Sequence, residues 1–204
     1  MRSMRSSLSS PLITTLATAR ETEPRAPATR LALAALAAAS CFAGAGVRRA
    51  AAIAPFCSGG ALAGTFSAVP GSAGAGQITY LLGLRNRSGQ ACAVTGIPEL
   101  QLLGRYGRAL PTHVAPARPG LATAALVTVK PGGYTSATAR FSPDVPGPGE
   151  PVSARQCEPT AYKLRVRAQG GGSTVVPIVK PTPVCEHGSL VVSLYVAGRR
   201  AVTP

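Results

Sequence analysis

The chain contains only two histidines, His113 and His187, so few residues are available for acid–base chemistry. Either histidine could form a Ser-His-acid assembly with Asp144 and a serine, but the sequence has no G-x-S-x-G elbow and no H-E-x-x-H motif. Glu150 and Glu158 could be the paired carboxylates of a glycosidase, but they flank a Pro/Gly-rich loop without a predicted strand to support them. We therefore expect a protein that is not an enzyme and uses no cofactor. An extracellular hydrolase of unrecognised type is the alternative.

Positive charge dominates the sequence. The formal net charge is +14, and seven basic and two acidic residues precede Pro55, so 14 − (7 − 2) = +9 remains on the residues that follow. Such a basic domain is attracted to polyanions such as teichoic acids or anionic lipid headgroups. Nucleic acid is not expected as a partner, because no aromatic residues interleave with the charges to form a stacking platform.

Five of the basic residues are predicted to share outward strand positions. Lys163, Arg165 and Arg167 alternate along one face of a predicted strand, and Arg85 and Arg87 occupy outward positions of another. If these strands are neighbours in the sheet, the five side chains form a positive patch for an anionic wall polymer or a membrane surface. The simpler interpretation is a solvated sheet face, on which Lys and Arg prevent pairing with another strand edge.

Four cysteines follow the apolar N-terminal segment, and an even number in an exported chain indicates disulfides. Paired positions in an antiparallel hairpin sum to a constant, which allows the partners to be chosen. A turn centred near residue 73 makes the sum 146 and places Cys57 opposite residue 89, just before Cys92. In the second hairpin, a turn over 170–173 makes the sum of paired positions 343 and places Cys157 opposite residue 186, next to Cys185. We therefore predict the disulfides Cys57–Cys92 and Cys157–Cys185.

Metal binding by the same cysteines is not expected. None of them shows the C-x₂₋₄-C spacing of a zinc site, and the adjacent Cys185, Glu186 and His187 cannot easily bring three side chains to one ion. As disulfides, in contrast, the two pairs would close loops of 35 and 28 residues. Each closure stabilises the fold by about 3–4 kcal/mol in the chain-entropy model.

The elements that must position these residues are predicted to be short strands. Period-two alternation of apolar residues, interrupted by Gly/Pro/Asn turns, predicts strands at 62–69, 77–87, 91–95, 100–103, 126–130, 134–141, 162–168, 174–179 and 190–196. Residues 110–121 contain three prolines and are predicted to be an irregular loop. With frequent turns and no helical period, the pattern favours an all-β fold. We predict an antiparallel, immunoglobulin-like β-sandwich of about eight to nine strands.

The first 54 residues are predicted to be an N-terminal extension with a signal peptide, and residues 55–204 the exported domain. An apolar segment at 31–47 follows Arg30 and is followed by small residues, which is the layout of a secretory signal. A permanent membrane helix is less well supported, because this Ala/Gly-rich segment is short and only mildly apolar. Lipidation of Cys41, which follows Ala39-Ser40, is a second alternative. We expect a secreted or envelope-associated protein.

A set of spaced motifs resembles one known family. They comprise Cys57, the N-x-S-x-x-x-C-x-x-x-G-x-P segment from Asn86 to Pro98, the Val129–Gly133 turn, Cys157 and Cys185. In this order they resemble the secreted bacterial family named domain of unknown function 4232, over about residues 57–197. Ile97 stands where that family usually has an aromatic residue, and Phe141 matches an aromatic position after the Pro-Gly strand.

The resemblance implies an exported or lipid-anchored β-sandwich of high-GC Gram-positive bacteria, and it brings no catalytic residues with it. Together with the charge, it leads us to expect a non-enzymatic cell-envelope domain that serves as a binding or structural module. Its basic face would contact anionic wall or membrane components. The oligomeric state and the natural ligand do not follow from the sequence.

Overall fold

The computed structural model describes residues 53–120, 125–151 and 157–201. The predicted signal segment and Cys41 lie outside the described residues. Within these ranges the chain is all-β, as predicted, and it contains no helix long and apolar enough to cross a membrane. The eleven strands of the described residues are β1 Leu62–Ala68, β2 Ile78–Asn86, β3 Cys92–Val94, β4 Glu99–Leu103, β5 His113–Pro116, β6 Val127–Val129, β7 Tyr134–Phe141, β8 Ala161–Arg167, β9 Ser173–Thr182, β10 Ser189–Val192 and β11 Val196–Ala197.

Nine of these strands form one continuous sheet. Its order is β4-β8-β9-β1-β2-β7-β10-β5, with β11 also paired to β7, while β3 and β6 form a separate two-stranded sheet. The β1–β9 and β5–β10 pairs are parallel, and the other strand pairs are antiparallel.

The two ends of this sheet are adjacent along the chain, because β4 leads into β5. The N–H of Leu110 donates to the carbonyl of Leu102 at 2.9 Å, and the N–H of Leu102 donates to Oγ1 of Thr112 at 3.0 Å. The sheet therefore curls into a nearly closed barrel. The finer prediction of an immunoglobulin-like sandwich is not confirmed, since a sandwich requires two facing sheets.

The core is small and is centred on three aromatic rings. The ring centroids of Phe66 and Tyr80 are 5.0 Å apart, those of Tyr80 and Phe141 are 5.1 Å apart, and those of Phe66 and Phe141 are 6.5 Å apart. These residues come from β1, β2 and β7, which are consecutive in the sheet, and leucines and valines of the other strands surround them. The Tyr80 hydroxyl donates to the carbonyl of Lys180 at 3.1 Å, so the buried ring keeps a hydrogen-bond partner.

Both predicted disulfides are present, although the registers near them differ from the predicted ones. Paired positions in β1 and β2 sum to 148 rather than 146, which brings Cys57 closer to Cys92; their Cα atoms are 4.8 Å apart. In β8 and β9, paired positions sum to 340 between the turn and Lys163. A bulge between Ala161 and Lys163 then shifts the sum to the predicted 343. Cys157 and Cys185 lie beyond that bulge, with Cα atoms 5.4 Å apart.

Two predicted elements are corrected by the structure. The predicted loop at 110–121 contains a strand, β5, which tolerates its terminal Pro116 because it lies at a sheet edge. The predicted single strand at 190–196 is divided into β10 and β11. Ser193 lies at this interruption, where its hydroxyl accepts from the N–H of Thr138 and its own N–H donates to the Thr138 carbonyl.

Asn86 at the end of β2 is a fully buried polar residue that joins three chain segments. Its Nδ2 donates to the carbonyls of Gln90 at 2.7 Å and Val129 at 3.0 Å. Its Oδ1 accepts from the N–H and the hydroxyl of Ser88, at 2.9 and 2.7 Å. All four hydrogen-bonding positions of the carboxamide are therefore used, and the side chain holds the β2–β3 turn against β6.

We predict that Asn86→Ala lowers the free energy of unfolding by about 2–4 kcal/mol, because it removes four hydrogen bonds, including the buried one to the Val129 carbonyl and the one from the Ser88 N–H. Urea denaturation under oxidising conditions measures this. The matched control is Gln169→Ala: Gln169 also makes two hydrogen bonds to backbone, both with Thr95, but in an exposed position. We expect the control to cost less than about 1 kcal/mol. Equal losses in the two variants would contradict the role assigned to Asn86.

Candidate functional site

Three side chains capable of acid–base or ligand chemistry converge near the Cys157–Cys185 disulfide. Glu150 ends the Pro/Gly-rich loop that follows β7, Glu158 is the residue after Cys157, and His187 lies two residues after Cys185. The disulfide joins the second and third of these segments. We refer to Glu150, Glu158 and His187 as the carboxylate–histidine cluster.

The backbone at His187 follows a left-handed turn. Glu186 and His187 have φ values of 56° and 57°, and Gly188 has 78°. Non-glycine residues rarely adopt this conformation, which costs about 1 kcal/mol or more per residue. The surrounding structure must therefore hold the turn in place.

Glu150 supplies much of that support. One oxygen, Oε2, accepts from the N–H of Gly147 at 2.7 Å and from the N–H of Glu186 at 2.9 Å. The other oxygen, Oε1, accepts from the N–H of His187. The Glu150 side chain is only 1% exposed, so these charge-assisted bonds form in a region from which water is excluded. One buried carboxylate thus ties the loop at 147–150 to the left-handed turn.

The imidazole of His187 faces both carboxylates of the cluster. Its Nδ1 lies 3.7 Å from Oε1 of Glu150 and 3.8 Å from Oε1 of Glu158, while its Nε2 lies 3.1 Å from the carbonyl oxygen of Pro148. A carbonyl only accepts hydrogen bonds, so Nε2 must carry a hydrogen. In the neutral ring, Nδ1 therefore directs a lone pair toward the two carboxylates.

The two carboxyl groups have opposite protonation preferences. Burial alone would raise the pKa of Glu150, but the N–H groups of His187, Gly147 and Glu186 and the charge of His187 outweigh it and lower that pKa. Burial, and then the charge and hydrogen bonding of Glu150, raise the pKa of Glu158, with His187 acting in the opposite direction. Glu150 is thus the group that stays ionised, and Glu158 is the group that more readily holds a proton.

The cluster is not the Ser-His-acid assembly that the sequence analysis considered. Within the described ranges, no serine hydroxyl is hydrogen-bonded to either histidine ring. His113 is exposed on β5 and Asp144 is exposed in the loop after β7. Glu150 and Glu158 do approach each other, but they are hydrogen-bonded to each other and share a histidine partner, whereas the two carboxyl groups of a glycosidase stand apart on either side of the substrate.

The structure separates the predicted basic residues into two groups. Lys163, Arg165 and Arg167 are exposed on β8 as predicted, and Arg85 and Arg87 are exposed at the end of β2. However, β9 and β1 lie between β8 and β2, so the two groups are three strand spacings apart, about 14 Å. The condition for a single patch, that the two strands be neighbours, is not met.

The β8 group borders a surface groove. Arg165 and Arg167 line it together with Ile97, Pro98 and Gln101. Arg167 also forms an exposed ion pair with Glu99, with Nε 3.3 Å from Oε2. Lys163 and Arg165 have no acidic partner among the described residues, so they remain available to an external anion.

A second basic surface, which the sequence analysis missed, surrounds Tyr134 on β7. The guanidinium carbons of Arg85 and Arg199 lie 6.0 and 5.5 Å from the centre of its exposed ring. This surface could have been found from the sequence only with knowledge of the β2–β7 pairing, which places Tyr134 opposite Arg85. We refer to Arg85, Tyr134 and Arg199 as the Arg–Tyr platform.

A family model described as domain of unknown function (DUF4232) matches residues 57–195. The chain therefore belongs to this family. The matched residues include both disulfides and the carboxylate–histidine cluster. No significant match was found among curated proteins or among solved structures.

We predict opposite effects for neutralising the two carboxylates. The lowered pKa of Glu150 means that its stabilisation is present above the ordinary value of 4.5 and is lost as the pH falls through the folded-state value. Glu150→Gln should therefore lower the unfolding free energy at pH 7 by about 1–3 kcal/mol, through the lost hydrogen bonds. This difference from the unmodified protein should shrink as the pH falls below 4.5.

Glu158→Gln is the matched control. Because the pKa of Glu158 is raised, its ionisation costs stability as the pH rises above the ordinary value of 4.5, and the variant should be as stable as the parent or more so at pH 7. Urea titrations between pH 4 and 7, in buffer containing a chelator, give both results. An unchanged Glu150→Gln variant, or equal destabilisation by both substitutions, would refute the assignment.

Proposed function

We propose that this DUF4232 protein is an exported, non-enzymatic domain of the cell envelope that binds anionic polymers through its basic surface. The observation that carries the proposal is the distribution of charge. All thirteen Lys and Arg residues among the described residues are exposed, whereas only three acidic residues there, Glu99, Asp144 and Glu186, are exposed.

This surplus of surface cations comes from the way the fold uses its acids. Glu150 is buried and Glu158 is largely covered, so neither offsets the surface charge effectively. Arg167 with Glu99 is the single ion pair between a Lys or Arg and an acid among the described residues. The remaining surface cations attract a polyanion over a distance of about a Debye length.

The groove beside β8 is the proposed contact surface for the polymer. Lys163, Arg165 and Arg167 follow one another at alternate positions, spaced by about 6–7 Å along the strand. An extended phosphodiester polymer presents negative charges at regular intervals and can contact such a row with successive phosphates. The Arg–Tyr platform is a second surface on which a phosphate or carboxylate could bind between two guanidinium groups.

Two further observations support export. Disulfides persist in oxidising compartments outside the cytoplasm, and the structure has two of them. The apolar segment at 31–47 has the layout of a secretory signal. The protein would then be secreted, with a lipid anchor on Cys41 as the less favoured alternative.

We predict that the domain binds poly(glycerol phosphate), a teichoic-acid-type polymer, and that the affinity falls as salt is added. Replacing Lys163, Arg165 and Arg167 together with alanine should weaken binding by at least about tenfold at low ionic strength, since three contacts of about 0.5–1 kcal/mol each are lost. Isothermal titration calorimetry at several salt concentrations measures both effects.

The matched control replaces three other exposed cations, Arg108, Arg118 and Lys180, and therefore removes the same net charge. A smaller loss of polymer affinity in the control than in the triple variant assigns the contact to Lys163, Arg165 and Arg167. Equal losses would mean that only net charge matters, and a stronger loss on replacing Arg85 and Arg199 would move the contact to the Arg–Tyr platform. Binding that is absent or insensitive to salt would overturn the proposed function.

A further inference from the structure

The carboxylate–histidine cluster brings three Lewis-basic atoms close together. Nδ1 of His187 and a carboxylate oxygen from each of Glu150 and Glu158 all lie within 4.8 Å of one another. We infer that these three residues bind a divalent transition-metal ion, with Zn²⁺ as the preferred ion. This site is separate from the basic surfaces and does not depend on the proposed function.

The orientation of His187 is that of a metal ligand. Nε2 lies 3.1 Å from the carbonyl oxygen of Pro148, which fixes the hydrogen on Nε2 and leaves the lone pair on Nδ1. Metal-bound histidines commonly donate their second N–H to a backbone carbonyl or carboxylate in this way. The carbonyl of Pro148 is not itself one of the three proposed ligands, so it supports the assignment independently.

The electrostatics of the cluster call for a cation. The side chains of Glu150 and Glu158 are 1% and 14% exposed, and their ion-pair partner within the described ranges is His187 alone. Two ionised carboxylates held close together away from water repel each other unless they share a proton, and no Lys or Arg side chain among the described residues pairs with them. A divalent ion would compensate both charges at once.

The spacing of the ligand atoms suits zinc. Nδ1 lies 3.7 and 3.8 Å from the two carboxylate oxygens. In a tetrahedral site, ligand atoms with these separations would lie about 2.3 Å from the ion, close to the distance of about 2.0–2.2 Å for zinc bound to His nitrogen or carboxylate oxygen. A site with one imidazole and two carboxylates suits zinc and its neighbours better than calcium or magnesium, which prefer oxygen ligands alone.

The ligands are largely held in place before an ion arrives. Glu150 is fixed by three backbone N–H groups, and its Oε1 accepts only one of these bonds, which leaves a lone pair for the metal. The Cys157–Cys185 disulfide fastens the segments that carry Glu158 and His187. Cys157 and Cys185 also lie close to Glu150, but their sulfurs are bonded to each other and are therefore not ligands. The His187 side chain is 54% exposed, so a water molecule could complete the coordination.

The test is whether the oxidised, chelator-treated full-length chain binds Zn²⁺. Isothermal titration calorimetry measures the affinity and stoichiometry, and thermal unfolding with and without Zn²⁺ measures the change in melting temperature. We expect one ion per chain and a rise in melting temperature that Mg²⁺ and Ca²⁺ do not reproduce. His187→Ala and Glu158→Gln should each weaken Zn²⁺ binding at least tenfold. The N–H that His187 donates to Glu150 belongs to the backbone and is kept in His187→Ala, and the Glu158 side chain does not hold the turn, so both variants should fold.

The matched control is His113→Ala, which removes the other histidine, exposed on β5. It should bind Zn²⁺ as the unmodified protein does. If His187→Ala binds Zn²⁺ with unchanged affinity, or if the unmodified protein shows no saturable binding, the inference is wrong. Circular dichroism of each apo variant establishes that a loss of binding does not reflect unfolding.

Discussion

The two disulfides are the constraint on which the rest of this structure depends. The sequence has only four phenylalanines and no tryptophan, and its three core rings come from adjacent strands, so apolar packing is limited. Cys57–Cys92 fastens the segment before β1 to β3, and Cys157–Cys185 fastens the segment before β8 to the turn after β9. Each bond therefore closes one end of a long hairpin. Asn86 has a similar role without a covalent bond, since it joins the β2–β3 turn to β6.

The second disulfide also determines what the surface can do. It lies beside the left-handed turn at Glu186 and His187, whose N–H groups are capped by the buried Glu150. Two of the five acids among the described residues are consequently withdrawn into the cluster, and on the exterior thirteen exposed Lys and Arg residues outnumber three exposed acids. The separation of charge follows from the fold: two acids gather around one histidine, whereas Lys and Arg lie on outward strand faces and in the exposed turns.

Much of the fold could be predicted from local patterns. Period-two alternation located β2, β7 and β8 to within one residue, and turn residues located the hairpins closely enough to choose the disulfide partners. Strand order could not be predicted in this way. The parallel β1–β9 pairing joins segments more than a hundred residues apart, and nothing local to either strand specifies it. That pairing separates Arg87 from Lys163 and closes the sheet toward a barrel.

The candidate site was harder to predict from the sequence for the same reason, because its residues come from segments that are distant along the chain. The sequence placed His187 beside Cys185 and Glu186, and Glu150 with Glu158, but it did not place the three together. A metal site was not expected, because the cysteines lack zinc spacing and three adjacent side chains cannot easily reach one ion. The three side chains meet only because a bulge in β8, a disulfide and a left-handed turn bring distant segments together. The Arg–Tyr platform likewise depends on the register of β2 with β7 and on a residue beyond the last strand.

The central claim, that these two disulfides fix the register of the hairpins and the position of the cluster, is tested most directly by peptide mapping under non-reducing conditions. Cleavage after Lys and Arg places the four cysteines on four separate peptides, because Arg87, Arg155 and Lys163 lie between them. The structure predicts two linked pairs, Cys57 with Cys92 and Cys157 with Cys185, and no free thiol among these four cysteines. A peptide linking Cys57 to Cys185, or Cys92 to Cys157, would contradict it.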